Sequence, residues 1–272
     1  MSELQIQAEI SVESQRDAAD RLRLTHGPLE LRATVLALLL PSGSQRAVRA
    51  WEIETEATPT APTLRKHVAS LSGAARLPWF DVMLRRLARQ PIAVRQELFQ
   101  ATRRVMGARG VARPIDRLHW LWMRHALGEA PPLAARPDPG GDASHWIETD
   151  VLAIATYTAF LSRMVPTTEA DGTAWYDSVM QAWQPFATIP ACLPPPAEAM
   201  ADALRQMQTL SWMKRPLVVR HWLSAAEARG RNGRLDDGAA DAFRLSCALL
   251  DSPMPPDLAR HYITLPADTD AA

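Results

Sequence analysis

Apolar residues recur along this chain mainly at helical spacing. Leu77, Phe80, Leu84 and Leu87 follow an i, i+3, i+7, i+10 pattern, the stripe of one amphipathic helix. Val94, Leu98, Ala101 and Val105 set a second stripe that stops near Gly107. Ile115, Leu118, Leu121, Trp122 and Leu127 set a third. Alternation of period two is nowhere sustained, so the pattern predicts an all-α fold, a multi-helix bundle. Pro59 with Pro62, the run Leu193-Pro194-Pro195-Pro196 and the Pro/Gly-rich stretch 128–141 interrupt the periodicity. These breaks predict an N-terminal helical unit over 1–128, a connector over 129–143 and a C-terminal helical unit over 144–265. A loose acidic tail over 266–272 follows.

The two halves echo one another at a separation of about 120 residues. Ala108-Arg109-Gly110 recurs as Ala228-Arg229-Gly230, Arg95 as Arg215, Asp116 as Asp236 and Arg124 as Arg244. Apolar positions follow, Leu84 with Leu204, Leu98 with Val218 and Ile115 with Leu235. In each half an apolar residue precedes an aspartate at the start of a periodic run. Asp116 and Asp236 are therefore expected to be helix N-caps, with Ile115 and Leu235 as the hydrophobic staples. Loss of a capping carboxylate costs about 0.5–2 kcal/mol.

Composition narrows the class of protein. In 272 residues, 30 basic and 30 acidic side chains balance, and 47% of positions are hydrophobic, which excludes a disordered chain. The start Ser2-Glu3-Leu4-Gln5-Ile6 is polar and acidic, unlike a secretory or mitochondrial leader. The longest apolar run, Val35-Leu36-Ala37-Leu38-Leu39-Leu40, is far below the roughly 20 residues that span a bilayer. No membrane insertion is expected. Two isolated cysteines, Cys192 and Cys247, suit a reducing compartment, so the expected location is cytoplasmic.

Candidate chemistry is sparse. The histidines His26, His67, His119, His125, His145, His221 and His261 contain no pair at i, i+4, so HExxH zinc chemistry is absent. There is no GxSxG elbow, P-loop or GxGxxG fingerprint. No catalytic, cofactor-binding or metal-binding residue is assigned, and no cofactor is expected. Asp236, Asp237 and Asp241 form the one tight acidic group near a turn, and a divergent hydrolase using them is one alternative. Lys66 and Lys214 are the only lysines, so 28 of the 30 basic residues are arginine, as a GC-rich genome would give. Between residues 76 and 125, eleven arginines stand against Asp81, Glu97 and Asp116. That segment supplies the second alternative, nucleic-acid binding, although nucleic acid is disfavoured as a partner because no recognition motif accompanies the arginines. Nine tryptophans are many for this length, and Trp is favoured at interface hot spots. Trp79, Arg85, Arg86, Arg89, Trp120 and Trp122 are the expected interaction surface.

The block running from Leu77-Pro78-Trp79-Phe80-Asp81 to Leu127 resembles the helical tail of bacterial HtpX-like membrane zinc metallopeptidases. In such tails two helices lead to a turn of the form Ala-Asp-Gly-x-Ile-Ser-x-x-Glu-Trp. A second unit ends in a run like Leu-Asp-Cys-Pro-Leu-Pro-Pro, here Leu250-Asp251-Ser252-Pro253-Met254-Pro255-Pro256. The helical unit is similar to the tellurite-resistance TerB fold. The resemblance covers roughly residues 20–260 and implies two TerB-like cores, at about 76–127 and 200–251. The peptidase part has no counterpart. The family's Asp-Gly becomes Ala112-Arg113 and Asn232-Gly233, and its Glu becomes His119 and Ala239, so any acidic ligand set is degenerate. The missing chemistry, with the excess of Trp and Arg, makes the expected function a non-catalytic helical protein–protein interaction or scaffold module. Its partner would be a protein of unknown identity, such as a membrane-linked peptidase or another envelope-associated protein, and homo-oligomerisation is left open.

Overall fold

A computed structural model describes residues 3–41, 43–128, 146–165, 169–230 and 235–265. Among these the chain is all-helical, with no strand. It divides into two compact units, Met1–Ala112 with Tyr262–Ala272, and Arg113–His261.

The first unit holds α1 (Glu3–Arg23), α2 (Pro28–Leu38), α3 (Gln45–Glu54), α4 (Ala61–Ser70), α5 (Gly73–Ala88) and α6 (Ile92–Gly107). Its centre is α2. Every residue from Leu31 to Leu38 except Arg32 is buried, and α3, α4, α5 and α6 all pack on it. A helix apolar around its whole circumference must be enclosed, because it has no face suited to water. Trp51 of α3 lies against it and donates its indole N–H to the Ala33 carbonyl at 3.0 Å.

The second unit holds α7 (Pro114–Ala126), α8 (Glu148–Leu161), α9 (Glu169–Met180), a 3-10 turn (Gln181–Trp183), α10 (Ala197–Met207), α11 (Lys214–Glu227), α12 (Asp237–Leu249) and α13 (Pro256–Ala259). Here α8 is the enclosed helix, packed by α9 and α10. Aromatic rings fill the space beside it. Trp222 stacks on Phe243 with centroids 6.4 Å apart, and Tyr157 lies 5.6 Å from Trp222. Each polar handle finds a partner. Trp222 donates to the Thr158 hydroxyl at 2.9 Å, and Trp175 to the Trp222 carbonyl at 3.3 Å. The Ser246 hydroxyl donates to the Ala242 carbonyl, so at 3.0 Å the Tyr157 hydroxyl donates to Ser246.

The expected division after residue 128 is corrected by α7. This helix buries Leu118 and Met123 and packs against α12, which places it in the second unit. The expected 76–127 core is thereby split. The proposed connector 129–143 and tail 266–272 lie outside the described residues, as does Asn232-Gly233.

The helix boundaries also correct the caps. Asp236 is the N-cap of α12, accepting the Gly238 N–H at 3.2 Å. Asp116 is not an N-cap. The N-cap of α7 is Arg113, Pro114 follows it, and Asp116 is the third helical residue. Its buried carboxylate reaches back to accept the Arg113 main-chain N–H at 2.9 Å and the Arg113 guanidinium at 3.0 Å.

One element depends on a missing donor. Pro78 stands inside α5 and has no N–H for the Ala74 carbonyl one turn earlier. The main-chain N–H of Ile263 takes that place, at 3.2 Å. Residues 262–265 thereby belong with the first unit.

Burial pushes the Cys247 thiol up to about 12, whereas Cys192 is only half-buried. At pH 8 a thiol reagent is expected to modify one cysteine per native chain, and both once urea unfolds it. Rapid reaction of two thiols in the native protein would contradict this core packing.

Candidate interaction surface

The helices of this protein are short, so many of their ends fall inside it, and the last carbonyls of a helix have no partner within the helix. Arginines supply the donors. In the first unit Arg86 reaches the carbonyls of Leu22 and Thr25 at the end of α1, both at 2.9 Å. Arg76 reaches Leu38 at the end of α2 and Val68 near the end of α4, both at 3.1 Å. Arg32 reaches Glu54 at the end of α3 at 2.9 Å.

Arg215 does the same in the second unit and also builds a surface. Its guanidinium donates to the carbonyls of Leu210 at 2.9 Å, Leu250 at 2.7 Å and Gln208 at 2.6 Å. Burial holds it below the usual guanidinium range. The Gln208 side chain adds a bond to the Leu249 carbonyl at 2.7 Å. The loop between α10 and α11 is thus bound from beneath at two of its carbonyls. Above them, Trp212 is 67% exposed and Met213 is 49% exposed.

The next residue turns inward. Lys214 is buried, with its ammonium 3.9 Å from the Asp150 carboxylate and 5.0 Å from the centre of the Trp146 ring. Gln206 donates to the other Asp150 oxygen at 3.0 Å. These contacts bring the start of α8, with Ile147 48% exposed, against the start of α11. Trp146 continues edge-on to Trp183, 5.8 Å away, and Trp183 meets the His221 ring at 4.8 Å. Burial first, and Arg220 second, hold His221 below its usual value. An exposed aromatic–thioether pair on a rigid support has the character of a protein-binding hot spot.

The expected surface residues fall elsewhere. Trp79 is 2% exposed and belongs to the core, and Arg86, 7% exposed, is a helix terminator, so neither forms a surface. The reason is that α5 buries Ala75, Leu77, Trp79, Phe80, Val82 and Leu84, on more than one face. Arg85 and Arg89 are exposed, and Trp120 and Trp122 are half-buried, with Trp122 stacked on His125 at 5.5 Å. Among the described residues, Trp212 is the one exposed tryptophan. Its signal in the sequence was the polar, proline-flanked context Ser211-Trp212-Met213-Lys214-Arg215-Pro216, which breaks the apolar period.

The arginines of 76–125 divide between the two units. Arg76 and Arg86 are engaged by carbonyls, Arg104 pairs bidentately with Glu54, and Arg113 pairs with Asp116. Asp236 and Asp237 are exposed at the start of α12. Among the described residues, no three of His, Cys, Asp and Glu are grouped as a metal site. Likewise, no described helix is long and apolar enough to cross a membrane. Comparison of the chain with family models, curated proteins and solved structures finds no match.

Replacing Arg215 by Met is expected to cost about 3 kcal/mol in urea unfolding, since it leaves up to three interior carbonyls without a donor. Arg215→Lys is expected to recover only part of this, because one ammonium cannot reproduce the guanidinium fork. A loss below about 0.5 kcal/mol would show that the clamp is dispensable.

Proposed function

We propose that this protein is a non-catalytic helical interaction or scaffold module that docks a protein partner through the surface around Trp212 and Met213. The observation that carries this is the exposure of Trp212 on a loop held by two buried main-chain bonds to Arg215. A loop whose main chain is already held loses little backbone freedom on binding, which leaves more of the contact energy as affinity. The resemblance to the TerB-like tails of HtpX-like peptidases supports a protein of the envelope or of a membrane-linked peptidase system as the partner. Cytoplasmic residence belongs to the same proposal. Arg76, Arg86, Arg215 and the Lys214–Asp150 pair are occupied with holding helix ends and helix pairs, which supports a recognition role over a reactive one.

Immobilised native protein is expected to retain a stoichiometric partner from native lysate, and Trp212→Ala to lower its affinity at least tenfold, about 1.4 kcal/mol. The same substitution should change stability by less than about 0.5 kcal/mol, because the ring is exposed. Absence of any stoichiometric partner, or full retention by the Trp212→Ala protein, would refute the assignment.

A further inference from the structure

Between the 3-10 turn and α10 runs a stretch with neither helix nor strand, Ile189-Pro190-Ala191-Cys192-Leu193-Pro194-Pro195-Pro196. Its conformation follows from its prolines. A proline ring holds φ at about −65°, and a residue followed by proline is kept out of the helical region. Ile189, Leu193, Pro194 and Pro195 each precede a proline, and Pro196 itself has φ −62° and ψ 163°. These are polyproline II angles, which wind a left-handed helix of about three residues per turn without internal hydrogen bonds.

Burial along the segment repeats with that same period. Ile189, Cys192 and Pro195 are half-buried, whereas Pro190, Ala191, Leu193, Pro194 and Pro196 are exposed. One edge of the threefold helix therefore lies on the protein, and the other two face water. The segment is held where it stands. Tyr176 of α9 donates to the Pro190 carbonyl at 2.7 Å, and the Cys192 thiol meets the Ser162 hydroxyl at 3.4 Å. The Pro196 carbonyl accepts the Met200 N–H at 3.1 Å, which ties the far end to α10. Both free edges are apolar. Pro190, Leu193 and Pro196 share one, with Leu193 70% exposed, and Ala191 and Pro194 share the other. No charged side chain stands in the segment, so what reads it must do so by shape and apolar contact. A groove lined by aromatic rings takes two edges of such a helix and leaves the third, which is the division seen here.

We infer that residues 189–196 are a ready-made polyproline II ligand for a partner protein whose groove is lined by aromatic side chains. The ordering that a free proline-rich peptide undergoes on docking is already complete, so little conformational freedom is lost. This site is separate from the Trp212 surface and rests on its own observations.

The probes are three isotope-labelled domains that read polyproline II, an SH3, a WW and an EVH1 domain, each titrated with the unlabelled full chain. At least one is expected to bind with a Kd of about 0.1 mM or tighter, with chemical-shift changes confined to its aromatic groove. Leu193→Ala/Pro194→Ala, which strips both free edges, is expected to weaken that binding about tenfold or more. Leu193→Asp keeps every proline and is expected to weaken it as well. Trp212→Ala is expected to leave it unchanged. The inference is overturned by no binding in any of the three titrations at about 1 mM chain, or by shift changes outside the groove. Native affinity in either Leu193 variant, or an equal loss in Trp212→Ala, overturns it too.

Discussion

The guanidinium group that closes a helix end inside the protein is the interaction on which the rest of this structure depends. A fold made of many helices of 10 to 16 residues, such as α2 to α6, has more interior helix ends per residue than a bundle of long ones. Each end carries carbonyls with no intrahelical donor, and an interior carbonyl left unpaired costs about 1–3 kcal/mol. A positive charge at a helix C-terminus also meets the negative end of the helix dipole. Arginine suits the task because its planar fork serves two or three carbonyls at once. A lysine carries only three donors on a single point, and is more tightly hydrated. Arg76 and Arg215 each bridge carbonyls of different elements, and Arg86 of α5 holds two at the end of α1, so each joins elements as well as ending them. The preponderance of arginine over lysine, read from composition as a genomic bias, thus has a structural use as well.

Helices with one apolar stripe were legible in the sequence: α5 and α6 contain the stripe residues that announced them, and α7 contains all of its own but Leu127, which is its C-cap. The enclosed helices α2 and α8 were not, because an element buried on every side has no contrast between faces and so no period to detect. The same difficulty explains Trp79 and Arg86. Periodicity assigned one face of α5 to the core and the other to solvent, whereas neighbouring helices cover it more widely. The polar, proline-flanked context of Trp212 marked a break in the apolar period. Its exposure follows from the loop that Arg215 holds, a tertiary fact that the local sequence does not carry.

The internal echo was legible in part. The C-caps Ala108 of α6 and Ala228 of α11 stand 120 residues apart, as the motif comparison had them. Beyond that point the register shifts by three. The N-caps Arg113 and Asp236, and the C-caps Leu127 and Leu250, each stand 123 apart. Matching Asp116 to Asp236 by sequence therefore paired residues that occupy different positions in corresponding helices. Those two helices, α7 and α12, pack against each other, and each is followed by a residue in the left-handed region, Gly128 at φ 73° and Asp251 at φ 47°. At Asp251 the helix ends in a Schellman pattern, with Ser252 N–H on the Cys247 carbonyl at 2.9 Å. Glycine is usual there. The aspartate side chain instead reaches His125 of α7 at 3.5 Å, so the less favourable backbone comes with a tie between the two helices.

Arg215 joins the architecture to the proposed role. Its three acceptors are the end of α10, the loop that follows, and the end of α12. The same group that ends two helices therefore also fixes the path of the chain into α11. Because that path is bound from within, its outer side has no internal contact to satisfy, and the large residues there remain at the surface. Lys214, one step further, is drawn inward by Asp150 and Trp146, which leaves Met213 and Trp212 facing out at the turn. A buried charge network and an exposed apolar pair are thus two sides of one loop.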